Sequence, residues 1–475
     1  MGQKSTLIHV IGTETENRVH DSTAKVNHTV VVQEMQTRPR PYGAWSVGGH
    51  RGTNGARAYQ DVGDVLEYAA PECTNGTDAM YYELAGIMFW SRYARICDRA
   101  LGRAAQAWIM KSNTSSQGAS SAGYHINISM PMASDTFEVN FAATVNQLKA
   151  FVATLQLISG AGVVLPSEQA VTRLGTPAYG YAISSRAIHV VCDASKKAWS
   201  KPGDYVAKPL FLERNEPLAD ENRFWRLQIC GLDSNILPAA IQLKLDILLI
   251  MAEMVAIGAI NPIKLIEDKS LGQHTACRVS LDWRTPLETD GHGTLTPLEI
   301  QWYYFHEAEE YVIKYRDGRG ADILQQWADI LIAFDTDEDV PAALNGKVDW
   351  VTKALMLTRN EAKADQPFTY LAAENLHFNY HAYRINASGL CLPILLAQRY
   401  GAPDLTRRVV RAMRTPPSDT RAWARGTFIA AKPLTPAVEW DRIQALNSPV
   451  FGLPDPSLPT SPEFEKFMEG LTRAS

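Results

Sequence analysis

The strongest constraint on the fold lies in residues 1–135, where short runs alternate between apolar and polar side chains at a period of two. Leu7–Thr15, His28–Glu34, Ala56–Gln60, Ala107–Lys111 and Tyr124–Met130 all carry it. Such alternation gives a sheet with one buried and one wet face. Turn residues separate the runs, notably Gly52-Thr53-Asn54-Gly55 and the polar connection Ser112 to Gly123. The period then lengthens to that of a helix, with apolar residues three and four apart over Ala79–Gly102, Phe141–Ser159, Ile236–Ile257, Pro297–Tyr315 and Asp322–Phe334. A block of strands followed by a block of helices predicts an α+β protein in which helices back a sheet.

A chain of 475 residues leaves room for more than one domain. A linker is expected near residue 400, giving a catalytic-sized domain over 1–400 and a small C-terminal domain over 401–475 that contains Pro416-Pro417. The most apolar stretch, Ile236–Ile260, carries Lys244, Asp246 and Glu253, so it reads as a buried core helix and no membrane span is expected. Lysine and arginine number 46 against 51 acidic residues, a net charge of −5, which gives no global positive field to recruit nucleic acid. The six cysteines form no C-x-x-C pair, which argues against a thiolate zinc site and fits a reducing, cytoplasmic setting. No apolar run follows the N-terminus, so no signal peptide is expected. Any metal should be bound through oxygen.

Candidate chemistry concentrates in the strand block. In Gly12-Thr13-Glu14-Thr15-Glu16 the two glutamates share one strand face. Alone, that is an ordinary polar strand face. A second patch, Asn54 to Gly63 followed by Glu67-Tyr68-Ala69-Ala70-Pro71-Glu72-Cys73, puts Tyr59 and Asp61 on one face and Glu67 at the same parity. If both strands join one sheet, three or four carboxylates converge; cations would be needed to hold them ionised. Such hard oxygen ligands suit Mg²⁺ together with nucleotide phosphates. In Tyr124–Ser129, His125, Asn127 and Ser129 alternate with Tyr124, Ile126 and Ile128, and His125 is equally readable as a hydrogen-bonded residue or as a ligand. Lys208–Pro217 places Arg214 where it can reach phosphate oxygens or pair with the glutamates beside it. There is no P-loop, G-x-G-x-x-G, H-E-x-x-H or G-x-S-x-G pattern, so a bound nucleotide would be held on the sheet by metal and arginine.

These motifs, with Arg214-Asn215-Glu216-Pro217-x-Ala219-Asp220, Asp233-Ser234-Asn235, Val348-Asp349-Trp350-Val351-x-Lys353 and Pro416-Pro417-Ser418-Asp419-Thr420-Arg421-Ala422-x-x-Arg425-Gly426, resemble the Pup ligase and Pup deamidase (depupylase) family. That family belongs to the carboxylate–amine ligases related to glutamine synthetase. The resemblance runs in order along nearly the whole chain. It implies a curved antiparallel sheet cradling ATP and Mg²⁺, backed by helices, with a small C-terminal domain. Glu14, Glu16, Tyr59 and Glu67 would surround the metal, and Asp61 would be the catalytic aspartate. Arg214, Arg186, Arg421, Arg425 and His125 would contact the nucleotide. In the ligase branch, ATP activates the C-terminal glutamate side chain of the small modifier Pup as an acyl phosphate, which a lysine of a protein substrate attacks. Hydrolysis of a side-chain amide or isopeptide, as in the deamidase branch, is the alternative, and a divergent nucleotide-binding homologue with another substrate is a third. The spacing of 45 positions between Glu16 and Asp61 is similar to the ligase branch, whereas the wording Ala70 to Asn75 resembles the deamidase. The pattern departs from the family at Leu218, Val65-Leu66, Ile126 and Gln228, where each lost histidine is expected to remove a polar contact near the nucleotide.

Overall fold

The computed structural model describes residues 9–38, 43–46, 49–61, 65–104, 106–111, 123–131, 137–165, 179–184, 210–214, 224–266, 279, 282–316, 318–337, 339–364, 368–383, 404–418, 420, 422–423 and 425–426. Among them, ten strands form one sheet. They are β1 (Ile11–His20), β2 (Gly43–Ser46), β3 (Gly49–Gly52), β4 (Arg57–Asp61), β5 (Val65–Ala69), β6 (Trp108–Met110), β7 (Tyr124–Pro131), β8 (Leu210–Arg214), β9 (Phe224–Ile229) and β10 (Ala382–Tyr383). The order is β8-β9-β7-β1-β5-β4-β3-β2, with β6 and then β10 added beyond the far end of β1. Every pairing is antiparallel, so the expected α+β class with an antiparallel sheet is the architecture found.

Period two explains the two faces. Along β1, Ile11, Thr13, Thr15 and Asn17 are buried while Glu14 and Glu16 point to the front. In β7, Tyr124, Ile126 and Ile128 go into the core and His125 and Asn127 stay on the front, as the alternation predicts. Behind the sheet pack α2 (Gly76–Ala100), α3 (Phe137–Ser159) and α4 (Pro238–Ala256), followed by α5 (Pro297–Tyr315) and α6 (Gly318–Thr336). The N-terminus of α2 is capped by Asn75, whose side chain accepts the Asp78 amide at 2.8 Å, and α5 opens with a Thr296/Glu299 capping box. No described helix is long and apolar enough to cross a membrane; α4 is the buried core helix expected over Ile236–Ile257.

One expected strand is a helix. His28–Glu34 lies within α1 (His28–Thr37). Its β-branched residues suggested a strand, but Asn27 caps the first turn by accepting the Val30 amide at 3.0 Å, and Val31, Val32 and Met35 fall on one helical stripe against the core.

The motifs Asp233-Ser234-Asn235 and Val348 to Lys353 meet behind the sheet in a buried ionic node. Asp349, at the start of α7 (Asp349–Glu361), accepts the amides of Ile236 and Leu237, the Asn235 side chain at 3.0 Å and the Tyr380 hydroxyl at 2.7 Å. Lys244 donates to Asn235 Oδ1 at 2.5 Å and to the Asp233 carbonyl at 2.8 Å, and its ammonium lies 4.0 Å from the centre of the Tyr124 ring. Lys111 bonds Glu83, which also takes the Tyr124 hydroxyl at 2.8 Å. Lys353 donates to the Gly162 carbonyl and to Nε2 of His381, the last residue of α8 (Tyr370–His381). Burial lowers the pKa of Lys244 and of Lys353 to about 7, and burial also keeps His381 neutral, with Nδ1 donating to the Lys111 carbonyl. Tyr124 thus clamps β7 from behind, next to the front-facing His125.

The described part of the C-terminal region, beginning with α9 (Leu405–Ala412), latches onto the β4–β5 side of the sheet. Asn54 donates to the Ala412 carbonyl and to the Tyr68 hydroxyl, both at 2.8 Å, and Arg425 bonds Glu72. Thr420 donates to the Glu72 carbonyl at 2.8 Å. Gly55 turns the chain at φ +82°, and a Cβ there would meet the Ala422 carbonyl at 2.6 Å, so glycine meets both the conformational and the spatial demand.

Candidate active site

Strand register assembles the front face row by row. Glu16 pairs with Glu67, and Glu67 with Tyr59, across β1-β5-β4. One row along, Glu14 pairs with Ala69 on one side and His125 on the other. Oxygens of Glu16, Asp61 and Glu67 lie within 4.8 Å of one another, and so do ligand atoms of Glu14, Glu67 and His125. The convergence predicted from two separate patches is therefore real, with Glu67 belonging to both groups.

Each acid is differently held. The Tyr59 hydroxyl donates to Glu67 at 2.6 Å, and burial together with the charge of Glu67 raises its pKa, keeping it a phenol. Burial, then the charge of Glu14, pushes Glu67 up to about 8. Burial would raise Glu14 too, but the bond from His125 at 3.3 Å and the Arg226 guanidinium at 3.9 Å hold its pKa below the usual carboxylate range. Burial disfavours charge on His125, yet Cys230 and Glu14 beside it raise its pKa well above the ordinary value, making it an imidazolium. Glu16 accepts the Gly123 amide at 2.5 Å; a Cβ on Gly123 would fall 2.4 Å from Glu16 Oε1 and 2.9 Å from His125 Nε2.

Gln228 does not remove a polar contact: its amide donates to Glu14 at 3.2 Å. Val65, Leu66 and Ile126 are buried apolar residues. Arg226, two positions before Gln228 on the same face, was missed from the sequence; the alternation of Arg226 and Gln228 with Leu227 and Ile229 was the signal that could have found it. Arg425 is nine-tenths buried and engaged with Glu72, at the latch and not among the carboxylates. Arg214 ends β8 opposite Trp225, and its side chain is not described. Arg186, Arg421, Leu218 and all but the last residue of the Ser112–Gly123 connection lie outside the described residues.

The donor set, all oxygen in one group and a single imidazole in the other, fits a hard divalent cation, and a buried carboxyl displaced to about 8 marks a place short of positive charge.

Comparison with known proteins places the chain in a family. The family model described as Pup-ligase protein matches residues 6–444. The Pup–protein ligase of Acidimicrobium ferrooxidans is 32% identical over 394 residues, covering 80% of this chain and 79% of that one. That of Kineococcus radiotolerans is 30% identical over 399 residues, with the same coverage. Among solved structures, the ligase PafA in complex with the prokaryotic ubiquitin-like protein Pup superimposes with a TM-score of 0.74 at 23% identity, covering 98% of this chain and 92% of that chain. PafA in complex with ADP gives 0.70 at 24%, covering 90% and 91%. The family model and the curated relatives define an ATP-dependent ligase, on the fold that PafA shares. The chain belongs to the Pup ligase family.

Proposed function

We propose that this protein joins the side-chain carboxylate of a modifier's C-terminal glutamate to a lysine amine of a target protein, using ATP, with a Pup-like protein as the modifier. The observation that carries the reading is the convergence of Glu14, Glu16, Asp61 and Glu67 with His125 on the front of the sheet, in a chain whose relatives are named Pup–protein ligases. Glu16 and Glu67, with Glu14, would hold Mg²⁺, which when bound neutralises charge on phosphoryl oxygens. Tyr59 orients Glu67 by its hydrogen bond. His125, as an imidazolium, offers a positive donor to phosphate, as Arg214, Arg186 and Arg421 do by motif position. The γ-phosphoryl group moves from ATP to the glutamate carboxylate, giving ADP and an acyl phosphate. The lysine nitrogen attacks the acyl carbon, Asp61 takes the amine proton, and phosphate leaves. A 1–400 catalytic domain with a 401–475 C-terminal domain fits the latch described above. A cytoplasmic setting fits Cys73, Cys97 and Cys230, which form no disulfide among the described residues.

The test is ADP release with Mg-ATP and a tail peptide ending in Glu or Gln, with intact mass read on every product. ADP formation dependent on the Glu tail, with a lysine adduct of tail mass less one water, is expected. Tail-independent ADP, or conversion of Gln to Glu without ligation, would overturn the reading.

Two further outcomes follow from the site. The folded pKa of Glu67 stands above its unfolded value, so its contribution to stability is full below about 4.5 and is lost as pH rises through about 8. Without divalent cation the protein should therefore melt lower at pH 8.5 than at pH 6, all else equal, and Mg²⁺ should narrow the gap while releasing a proton on binding near pH 7; calorimetry in two buffers of different ionisation enthalpy reads that proton. Gly123→Ala forces Glu16 and His125 apart and should raise the Mg²⁺ concentration for half-maximal activity about tenfold with little change in melting temperature; an unchanged Mg²⁺ dependence would remove Glu16 from the metal shell.

A further inference from the structure

Arg18 lies two residues beyond Glu16 on β1 and so shares its front face. The row of Tyr59, Glu67 and Glu16 is followed, one step along the strands, by a row that begins at Asp61. Asp61 pairs with Val65, and Arg18 comes next after the Asn17 and Leu66 pair, so Val65 alone stands between Asp61 and Arg18. On its other side Arg18 pairs with Met110 of β6. Val65 and Met110 are buried and apolar. Arg18 is partly buried, and its Nε, shut off from solvent, has no hydrogen-bond partner among the described residues. Glu16 turns instead to the Gly123 amide at 2.5 Å. A guanidinium nitrogen withdrawn from water without an acceptor is costly, so this row holds a cation fitted to an anion that arrives with the substrate.

The chemistry of the substrate says which anion. The proposed function brings a C-terminal glutamate to the Asp61 end of the cluster, and the present argument rests on that reading. Such a residue carries two carboxylates, the side-chain group that is activated and the main-chain α-carboxylate that is not. Four bonds separate their carbons, about 5 Å when extended. The amine whose proton Asp61 takes must reach the acyl carbon, so the activated group sits beside Asp61 and the unreacted one lies further along. Asp61 and Arg18 are two strand spacings apart, about 10 Å between Cα atoms, a span that one glutamate fills with a side chain reaching in from each end.

We infer that Arg18 holds the free α-carboxylate of the modifier's terminal glutamate above Val65, and thereby turns the side-chain carboxylate, and not the α-carboxylate, toward the nucleotide. The planar guanidinium fork donates two parallel bonds to a carboxylate, which fixes its orientation as well as its position.

The experiment measures KM for two tail peptides that both end in glutamate, one with a free α-carboxylate and one with an α-carboxamide. In the unaltered protein the carboxamide should raise the KM about 10- to 100-fold. Arg18→Gln should raise the KM of the free-acid tail by about the same factor while leaving that of the carboxamide tail, and that of ATP, within about twofold. Arg18→Lys, which keeps the charge without the fork, should fall between. Equal KM values for the two tails in the unaltered protein, or a preference for the free acid that survives Arg18→Gln, would overturn the inference and place the α-carboxylate elsewhere. A raised KM for ATP with an unchanged tail KM would overturn it too, giving Arg18 to the nucleotide. Absence of ADP formation with the free-acid tail in the unaltered protein would overturn the parent reading, and this one with it.

Discussion

Asp61→Asn should slow isopeptide formation about 10²- to 10⁴-fold, the usual worth of a positioned general base, while leaving nucleotide binding nearly intact. Asparagine keeps the shape of the side chain at the end of β4 but cannot accept the lysine proton. Its oxygens lie within 4.8 Å of those of Glu16 and Glu67, and its charge is one of the influences raising Glu67. Removing that charge should lower the Glu67 pKa, so the pH at which Mg²⁺ binding releases a proton should fall in the variant. Single-turnover mass spectrometry with pre-bound ATP and tail reads the chemical step, and calorimetry the binding. Adduct formation at the unaltered rate would take Asp61 out of the chemistry; loss of MgADP binding together with turnover would make it a metal ligand first.

Lys111→Met should be the most destabilising single change away from the site. Lys111 and Glu83 are both fully buried, and the substitution leaves the Glu83 carboxylate with the Tyr124 hydroxyl as its remaining described hydrogen-bond partner. Breaking one half of a buried ion pair costs about 3–5 kcal/mol. Pairing it with Glu83→Gln removes the stranded charge and should recover a large part of the loss. Urea midpoints of the two variants test this; a double variant no more stable than Lys111→Met would mean that packing around Lys111, and not the charge of Glu83, sets the cost. Because Tyr124 neighbours His125, the single variant should also lose activity before it unfolds.

Much of the front face was legible because strand geometry maps parity directly onto space. Glu14 and Glu16, and Tyr59 and Asp61, needed only a period of two to be placed together. The register that sets Glu67 between Glu16 and Tyr59 was not legible, since it depends on which strands pair. Gln228 against Glu14 was missed for the same reason: β9 reaches β1 only through β7. The α1 error came from reading β-branched residues by propensity when a cap and a helical stripe decided the matter. The buried node was visible in sequence as two unexplained motifs, but a lysine in a pattern does not say that it is wholly buried; that follows from Asp233 and Asn235 meeting Asp349 from a distant part of the chain.

The latch between Asn54 and Ala412 joins positions 358 apart, and Arg425 reaches back 353 positions to Glu72. At about 5–20 residues per second on the ribosome, roughly 20–70 s pass between synthesis of the β3–β4 turn and of the segment that closes over it. For that interval the Asn54 side chain, buried in the finished protein, waits for the Ala412 carbonyl that completes its bonding beside the Tyr68 hydroxyl. The β3–β4 turn must therefore hold its shape before the segment that covers it exists, and a stalled chain would carry that turn uncovered.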